Sequence, residues 1–287
     1  MHTDIPGEAL TESQKYGELE LAKIENMRIQ ALDQLAGQKP VSTDDLKKVE
    51  EELEGKAEEP GETPEAEPEK EYGVVTVCAG DGMEDVFREL GVDGIVTGGQ
   101  TMNPSTEDIL REIRRTPASK VFVLPNNKNI IMAAEQCIPL TKKRVIVMPT
   151  KTVPQGVAAL LSMNVDQDEG QIVADMTETI GHVHTAMVTY AARDSEFDGH
   201  NIRAGEYLAL LDGGLVDSFP EPEEMFRVLA RSFEALEPEF ITIYYGENVT
   251  AEEAEEAAQG FRARFENSEV TVVRGGQPVY YYMIGVE

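Results

Sequence analysis

The sequence predicts an α/β protein of two subdomains, a parallel-sheet unit followed by a mixed-sheet unit. Three observations carry that prediction. Between residues 94 and 151 a short apolar strand, a polar loop and an amphipathic helix follow one another three times, the strands being Gly94-Ile-Val-Thr97, Lys120-Val-Phe-Val-Leu124 and Arg144-Val-Ile-Val-Met148. Strands joined by helical crossovers run parallel, so their loops gather at one carboxyl edge, where open α/β sheets keep ligands. Past residue 185 the connections change to hairpin chemistry, Asp212-Gly-Gly214 above all, which reverses the chain and mixes strand directions. Finally, 287 residues with 41% hydrophobic content can bury a sizeable core divided over two units.

Residues 1–30 pass from a helix-compatible stretch into Leu19-Glu-Leu-Ala-Lys-Ile24, which alternates like a strand. So short a piece has too little apolar surface to fold alone. It is expected to pack on the main body, to pair two copies as a homodimer, or to be the remnant of a preceding domain. Residues 31–71 read as an acidic linker: residues 44–71 hold 13 acidic and 4 basic side chains, with Pro60, Pro64 and Pro68 interspersed. Such a segment repels itself and buries little, so it is expected to be largely disordered, with some helix over 43–53.

The first subdomain is placed at 72–184. Gly73-Val-Val-Thr-Val-Cys-Ala79 reads as a buried strand, and Gly80-Asp-Gly82 as a turn into a helix whose Val86, Phe87 and Leu90 share a face. Two glycines at a helix start can bring N–H groups onto an anion, but Asp81 between them disfavours one, and an ordinary turn is the alternative. The next loop carries Gly98, Gly99, Gln100, Thr101 and Asn103 ahead of Ser105, which with Asp108 forms a capping-box pattern for a helix lined by Ile109, Leu110 and Ile113. The third strand ends in Asn126, Asn127 and Lys128, amides and a cation at a helix mouth where the dipole favours anions. The fourth delivers Lys151 and Thr152, with Pro154 in the first turn of the following helix. These ten loop residues, Gly98 through Thr152, are the candidate ligand or partner site, and Gln100, Lys128 and Lys151 are expected side by side on one rim. His182-Val-His184 has strand spacing, but no third ligand accompanies the pair, so no metal is assigned.

The second subdomain, 185–287, reads as a strand over 185–192, a turn at Asp198-Gly-His-Asn201, a strand over 207–211 and a return through Leu215 to Asp217. Helices near 222–235 and 251–266 flank the strand 240–245, and strands near 269–273 and 279–285 complete a mixed sheet. Asp198, His200 and Asp212 are the acid/base-looking group of this half.

The formal charge of −29, from 25 Lys+Arg against 54 Asp+Glu, argues against a nucleic-acid partner, which needs a basic surface. No apolar run approaches the roughly 20 residues of a membrane span, so no membrane insertion is expected. Cys78 and Cys137 stand in apolar stretches, too few for a disulfide framework, and read as reduced core residues of a cytoplasmic protein.

Four ordered motifs carry a resemblance. Gly98-Gly-Gln-Thr-Met-Asn-Pro-Ser-Thr106, Pro125-Asn-Asn-Lys-Asn129, Pro149-Thr-Lys-Thr-Val-Pro-Gln155, and Asp198-Gly-His200 with Gly205-Glu-Tyr207 together resemble the C-terminal region of the ATP-binding component of bacterial fatty-acid kinase. That group is also labelled dihydroxyacetone-kinase-like, or DAK phosphatase. His2-Thr-Asp-Ile-Pro-Gly7, Tyr16-Gly17 and Ile24-Glu-Asn-Met27 are similar to the end of the family's middle domain. The resemblance implies a DegV or dihydroxyacetone-kinase-like fold and a module that docks a DegV-like fatty-acid-binding protein. It implies a kinase making acyl phosphate for phospholipid synthesis, a phosphotransferase whose ATP and magnesium belong to an aspartate-rich domain outside these residues. No cofactor and no catalytic residue is expected in this chain. The competing expectation is a stand-alone dihydroxyacetone-kinase-like enzyme, or a binder of a small phosphate or carboxylate, using the same loops. No nucleophile suited to a phosphatase stands out.

Overall fold

This computed structural model describes residues 64–99, 103–197 and 200–287. The expectations for residues 1–30 and for the linker before residue 64 lie outside the described residues, as do Gln100, Thr101 and Asp198.

The first subdomain begins further back than the strand pattern suggested. Glu65 accepts hydrogen bonds from the Thr141 hydroxyl at 2.7 Å and the Lys142 N–H at 2.8 Å, and the N–H groups of Ala66 and Glu69 donate to the carbonyls of Arg114 and Pro117. Strand β1 then runs Lys70–Cys78. The end of the acidic stretch therefore belongs to the first subdomain, because its polar groups find fixed partners there.

Strands β1, β2 (Gly94–Thr97), β3 (Ala118–Leu124) and β4 (Arg144–Val147) form an all-parallel sheet in the order β2-β1-β3-β4. Its alternate side chains serve two faces. Val75, Val77, Val121 and Val123 pack under α2 (Thr106–Arg115) and α3 (Lys128–Gln136). Val74, Cys78, Phe122 and Leu124 pack under α1 (Asp81–Glu89), α4 (Val153–Ser162) and α5 (Glu169–His182). Burial on both faces explains why the strands read as continuous apolar runs. The Ser105–Asp108 capping box forms at the start of α2. At the other end the Lys143 ammonium donates to the Ile113, Arg114 and Thr116 carbonyls and so satisfies orphan acceptors. Both cysteines are free and buried.

The histidine pair does not sit on one strand. The buried stripe Ile172, Met176, Ile180 carries α5 through His182, and β5 (His184–Tyr190) starts only at His184.

In the second subdomain β5, β8 (Tyr207–Leu211), β9 (Gly214–Phe219), β10 (Phe240–Tyr245), β11 (Glu269–Arg274) and β12 (Tyr282–Val286) form a six-stranded sheet in the order β11-β10-β12-β5-β8-β9. Only β10 and β11 pair in parallel; a short hairpin, β6 (Ser195–Phe197) and β7 (His200–Ile202), stands apart. Asp212 at φ 51° and Gly213 at φ 83° turn the chain between β8 and β9, the two-residue hairpin that Asp-Gly favours. Helices α6 (Pro222–Phe233) and α7 (Ala251–Arg264) cover one face, where Phe233 and Phe261 stack at 5.5 Å. The other face presents Tyr244 and Met283 to the core beneath α1, α4 and α5, so the subdomains share one hydrophobic layer.

The seam between the halves is set by backbone approach. The Met83 N–H donates to the Gly275 carbonyl at 2.9 Å, capping α1 from the second subdomain, and Arg274 pairs with Asp81 at 2.9 Å. A Cβ on Gly82 would stand 2.1 Å from the Arg274 carbonyl oxygen. Gly82→Ala is therefore expected to cost about 2 kcal/mol through overpacking, read as a drop of roughly 4–8 °C in Tm. An unchanged or raised Tm, as helix propensity alone dictates, would show that the seam is loose.

Candidate functional site

In a sheet ordered β2-β1-β3-β4 the crossovers diverge between β1 and β3, and the crevice beyond their carboxyl ends is the expected ligand position. Two features fill it here. From the second subdomain, Gly275 and Gly276 lie against the turn Gly80-Asp-Gly82, so an N–H group of the helix start that could have met an anion meets a carbonyl instead. From within the sheet comes Asn126.

Asn126 is 2% exposed and holds φ 54°, the left-handed region that asparagine tolerates better than most residues. Its amide nitrogen donates to the Thr76 hydroxyl at 2.8 Å and the Val77 carbonyl at 2.9 Å, while its backbone N–H donates to the Thr150 hydroxyl at 3.0 Å. One residue thus binds the ends of β1, β3 and the β4 loop together. Its Oδ1 has no hydrogen-bond partner among the described residues and faces Gly156 of α4, where an added Cβ would come within 2.1 Å. Asn127 is buried as well: its Oδ1 accepts from the Asn129 N–H at 2.9 Å, capping α3, and its Nδ2 donates to the Gly99 carbonyl at 3.0 Å. Both asparagines, read from sequence as ligand amides, are engaged in holding the loops.

The remaining candidates divide by exposure. Gly98 donates its N–H to the Cys78 carbonyl, and Gly98 and Gly99 are half-buried, whereas Asn103 is exposed. Lys128 opens α3 and Lys151 follows β4; both are exposed, and neither ammonium pairs with a carboxylate among the described residues. Because β3 and β4 are parallel neighbours, with Val123 opposite Val147, the two lysines follow strands that end at the same edge. Gln100, the third member of the expected rim, lies outside the described residues. Thr152 caps α4 and shares a 2.8 Å hydrogen bond with the Thr185 hydroxyl of β5, which ties the rim to the second subdomain.

One grouping was not visible in the sequence. Asp212, expected beside Asp198 and His200, instead reaches the His184 Nδ1 at 2.7 Å and accepts the Thr185 N–H at 2.9 Å. The two residues are 28 positions apart, and only the pairing of β5 with β8 brings them together. Among the described residues no cluster of three or more His, Cys, Asp or Glu could hold a metal ion, and no helix is long and apolar enough to cross a membrane. The buried thiols are poor nucleophiles: burial pushes Cys78 up to about 12 and Cys137 up to about 11.

A model of the FakA-like family (fatty acid kinase), C-terminal region, matches residues 73–287, and a model of the FakA-like middle domain matches residues 1–34. Protein YloV of Bacillus subtilis (strain 168) is 37% identical over 288 residues, covering 100% of this chain and 48% of YloV. An uncharacterized protein of Staphylococcus aureus (strain USA300) is 31% identical over 287 residues, covering 100% of this chain and 48% of its own length. The chain thus spans about half the length of the curated relatives it matches. Among solved structures, the DegV family protein Cg2579 from Corynebacterium glutamicum matches with a TM-score of 0.57 at 15% identity, over 75% of this chain and 96% of that one. A fatty-acid-binding DegV family protein from Thermus thermophilus matches with a TM-score of 0.57 at 15% identity, over 76% and 99%. The Streptococcus pneumoniae fatty acid kinase (Fak) B3 protein loaded with linoleic acid matches with a TM-score of 0.50 at 8% identity, over 76% and 99%. At such identities the likeness is one of fold, and the parallel and mixed sheets described above are arranged as in DegV-family proteins. By the match over residues 73–287 and the identity shared with YloV along the whole chain, this chain belongs to the FakA-like family of fatty acid kinase proteins.

Proposed function

We propose that this chain supplies the partner-docking module of a fatty-acid kinase, engaging a DegV-like fatty-acid-binding protein that presents the acyl carboxylate. The family membership carries this reading. The state of the rim supports it over small-molecule chemistry: the Nδ2 groups of both buried asparagines are spent on the fold, while Asn103, Lys128 and Lys151 remain exposed beyond one sheet edge. Two cations without carboxylate partners among the described residues, on a chain of formal charge −29, offer a local attraction for an acidic partner surface, and complementary charge steers encounter. In this reading ATP and magnesium act in a domain outside these residues, the product is an acyl phosphate destined for phospholipid, and the setting is cytoplasmic. The stand-alone enzyme finds no support in a nucleophile or an acid/base pair among the described residues of the rim.

Two substitutions separate docking from folding. Lys128→Glu is expected to leave Tm unchanged and to weaken capture of the DegV-like protein in a pull-down or titration by roughly threefold to tenfold, the scale of an exposed charge contact. Unimpaired binding would remove this rim from the interface. Asn126→Ala is expected to lower stability by about 2–3 kcal/mol in urea denaturation, since it leaves the partners of a buried amide unsatisfied. Its effect on binding should follow only the fraction unfolded.

A further inference from the structure

Between α6 and α7, above the second sheet, lies a cavity of about 550 Å³, within the roughly 300–1,000 Å³ of ligand sites. Small residues line it from both helices, Ala230 of α6 with Ala257 and Gly260 of α7, and a Cβ added at Gly260 would meet nothing within 4 Å. The rest of the apolar lining is aromatic. Phe226 meets Tyr282 edge-on at 5.0 Å, and Tyr281 lies 5.6 Å from Tyr207.

The charged groups around these rings favour one sign. Glu223 on α6 and Glu253 and Glu256 on α7 line the cavity, and so do three arginines. Two of the guanidinium groups are spent, Arg227 on Glu224 at 3.3 Å and Arg264 on Glu234, while Arg231 is exposed and has no ion pair among the described residues. Glu223 and Glu256 have no ion pair there either. The Thr250 N–H and hydroxyl hold the Glu253 carboxyl below its usual range, so it stays charged. Three carboxylates without a cationic partner thus stand against one unpaired guanidinium. Tyr282 lies within their reach. It is 6% exposed, yet its hydroxyl has no hydrogen-bond partner among the described residues and is not sealed from the cavity. Burial pushes the phenol up, and the Glu253 carboxylate, Tyr207 and Glu256 push it further the same way, which marks the surroundings of this hydroxyl as negative.

We propose that the α6–α7 cavity binds an arylalkylammonium ion, its ring against Phe226 and Tyr281 and its ammonium group on the Tyr282 hydroxyl oxygen and the Glu256 carboxylate. The faces of the surrounding rings attract a cation, and a carboxylate and a neutral phenol oxygen both accept ammonium N–H bonds. A buried hydroxyl that the fold leaves without a partner gains one when such a ligand enters. The site is separate from the lysine rim and does not depend on the docking reading.

Fluorescence titration of the 287-residue chain, which has no tryptophan, with 2-naphthylmethylammonium tests it. The expected result is one saturable site, weakened about tenfold by Tyr282→Phe, which removes a hydrogen bond to a charged group, and roughly threefold by Glu256→Gln. Arg231→Gln removes the opposing charge and is expected to tighten binding about twofold. All three variants should keep the parent Tm, since none of these side-chain groups has a partner among the described residues to lose. Uncharged 2-naphthylmethanol is expected to bind about tenfold more weakly than the amine, and 2-naphthoate more weakly still. No saturable binding, or binding indifferent to both Tyr282→Phe and Glu256→Gln, would overturn the proposal. So would an affinity for the alcohol or the carboxylate equal to that for the amine, or tighter binding of hexadecanoate in competition.

Discussion

The architecture depends on how closely two backbones approach at the seam. The turn Gly80-Asp-Gly82 accepts Gly275 and Gly276 at backbone distance, and the first helix receives an N-terminal hydrogen bond from across the subdomain boundary. That contact lets Tyr244 and Met283 enter the same hydrophobic layer as Phe87, Phe122 and Leu124. Subdomains joined in this way share their stability, and a loss of packing on either side is felt by both. The contact also closes the position at which a doubly wound sheet ordinarily offers helix N–H groups to a ligand. The same close packing that unites the halves thus occupies the helix start at the crevice.

Among the described residues the carboxyl edge is a hydrogen-bonded frame with charged groups outside it. Asn126 ties the ends of β1 and β3 to the loop after β4 through Thr76, Val77 and Thr150, and Asn127 fixes the start of the third helix against Gly99. Lys128 and Lys151 ride on that frame without carboxylate partners among the described residues, whereas Lys120, on the same sheet, is bound to Glu71.

Much of this was legible in the residues. Alternating apolar strands and helices pointed to parallel pairing, Ser105 and Asp108 to a capping box, and Asp212-Gly213 to a hairpin, because each rests on patterns within a short stretch of chain. The asparagines show where such reading stops. Their composition fits either a ligand seat or an internal strut, and the choice depends on Thr76 and Gly156, tens of residues away. The His184–Asp212 pair and the aromatic cavity were hidden for the same reason, since strand pairing and helix packing assemble them. His182 and His184 were misplaced because two-residue spacing looks alike in a strand and across a helix end.

The order of strands in the mixed sheet has a consequence for synthesis. Tyr282–Val286, made after every other strand described, lies in the interior of the sheet between β10 and β5, and each of those neighbours is antiparallel to it. Until these five residues have left the ribosome, β5 and β10 have no common partner and the backbone edges that β12 pairs with stay open. The parallel sheet can close during translation, but the mixed sheet stays in two pieces until β12 emerges to join them.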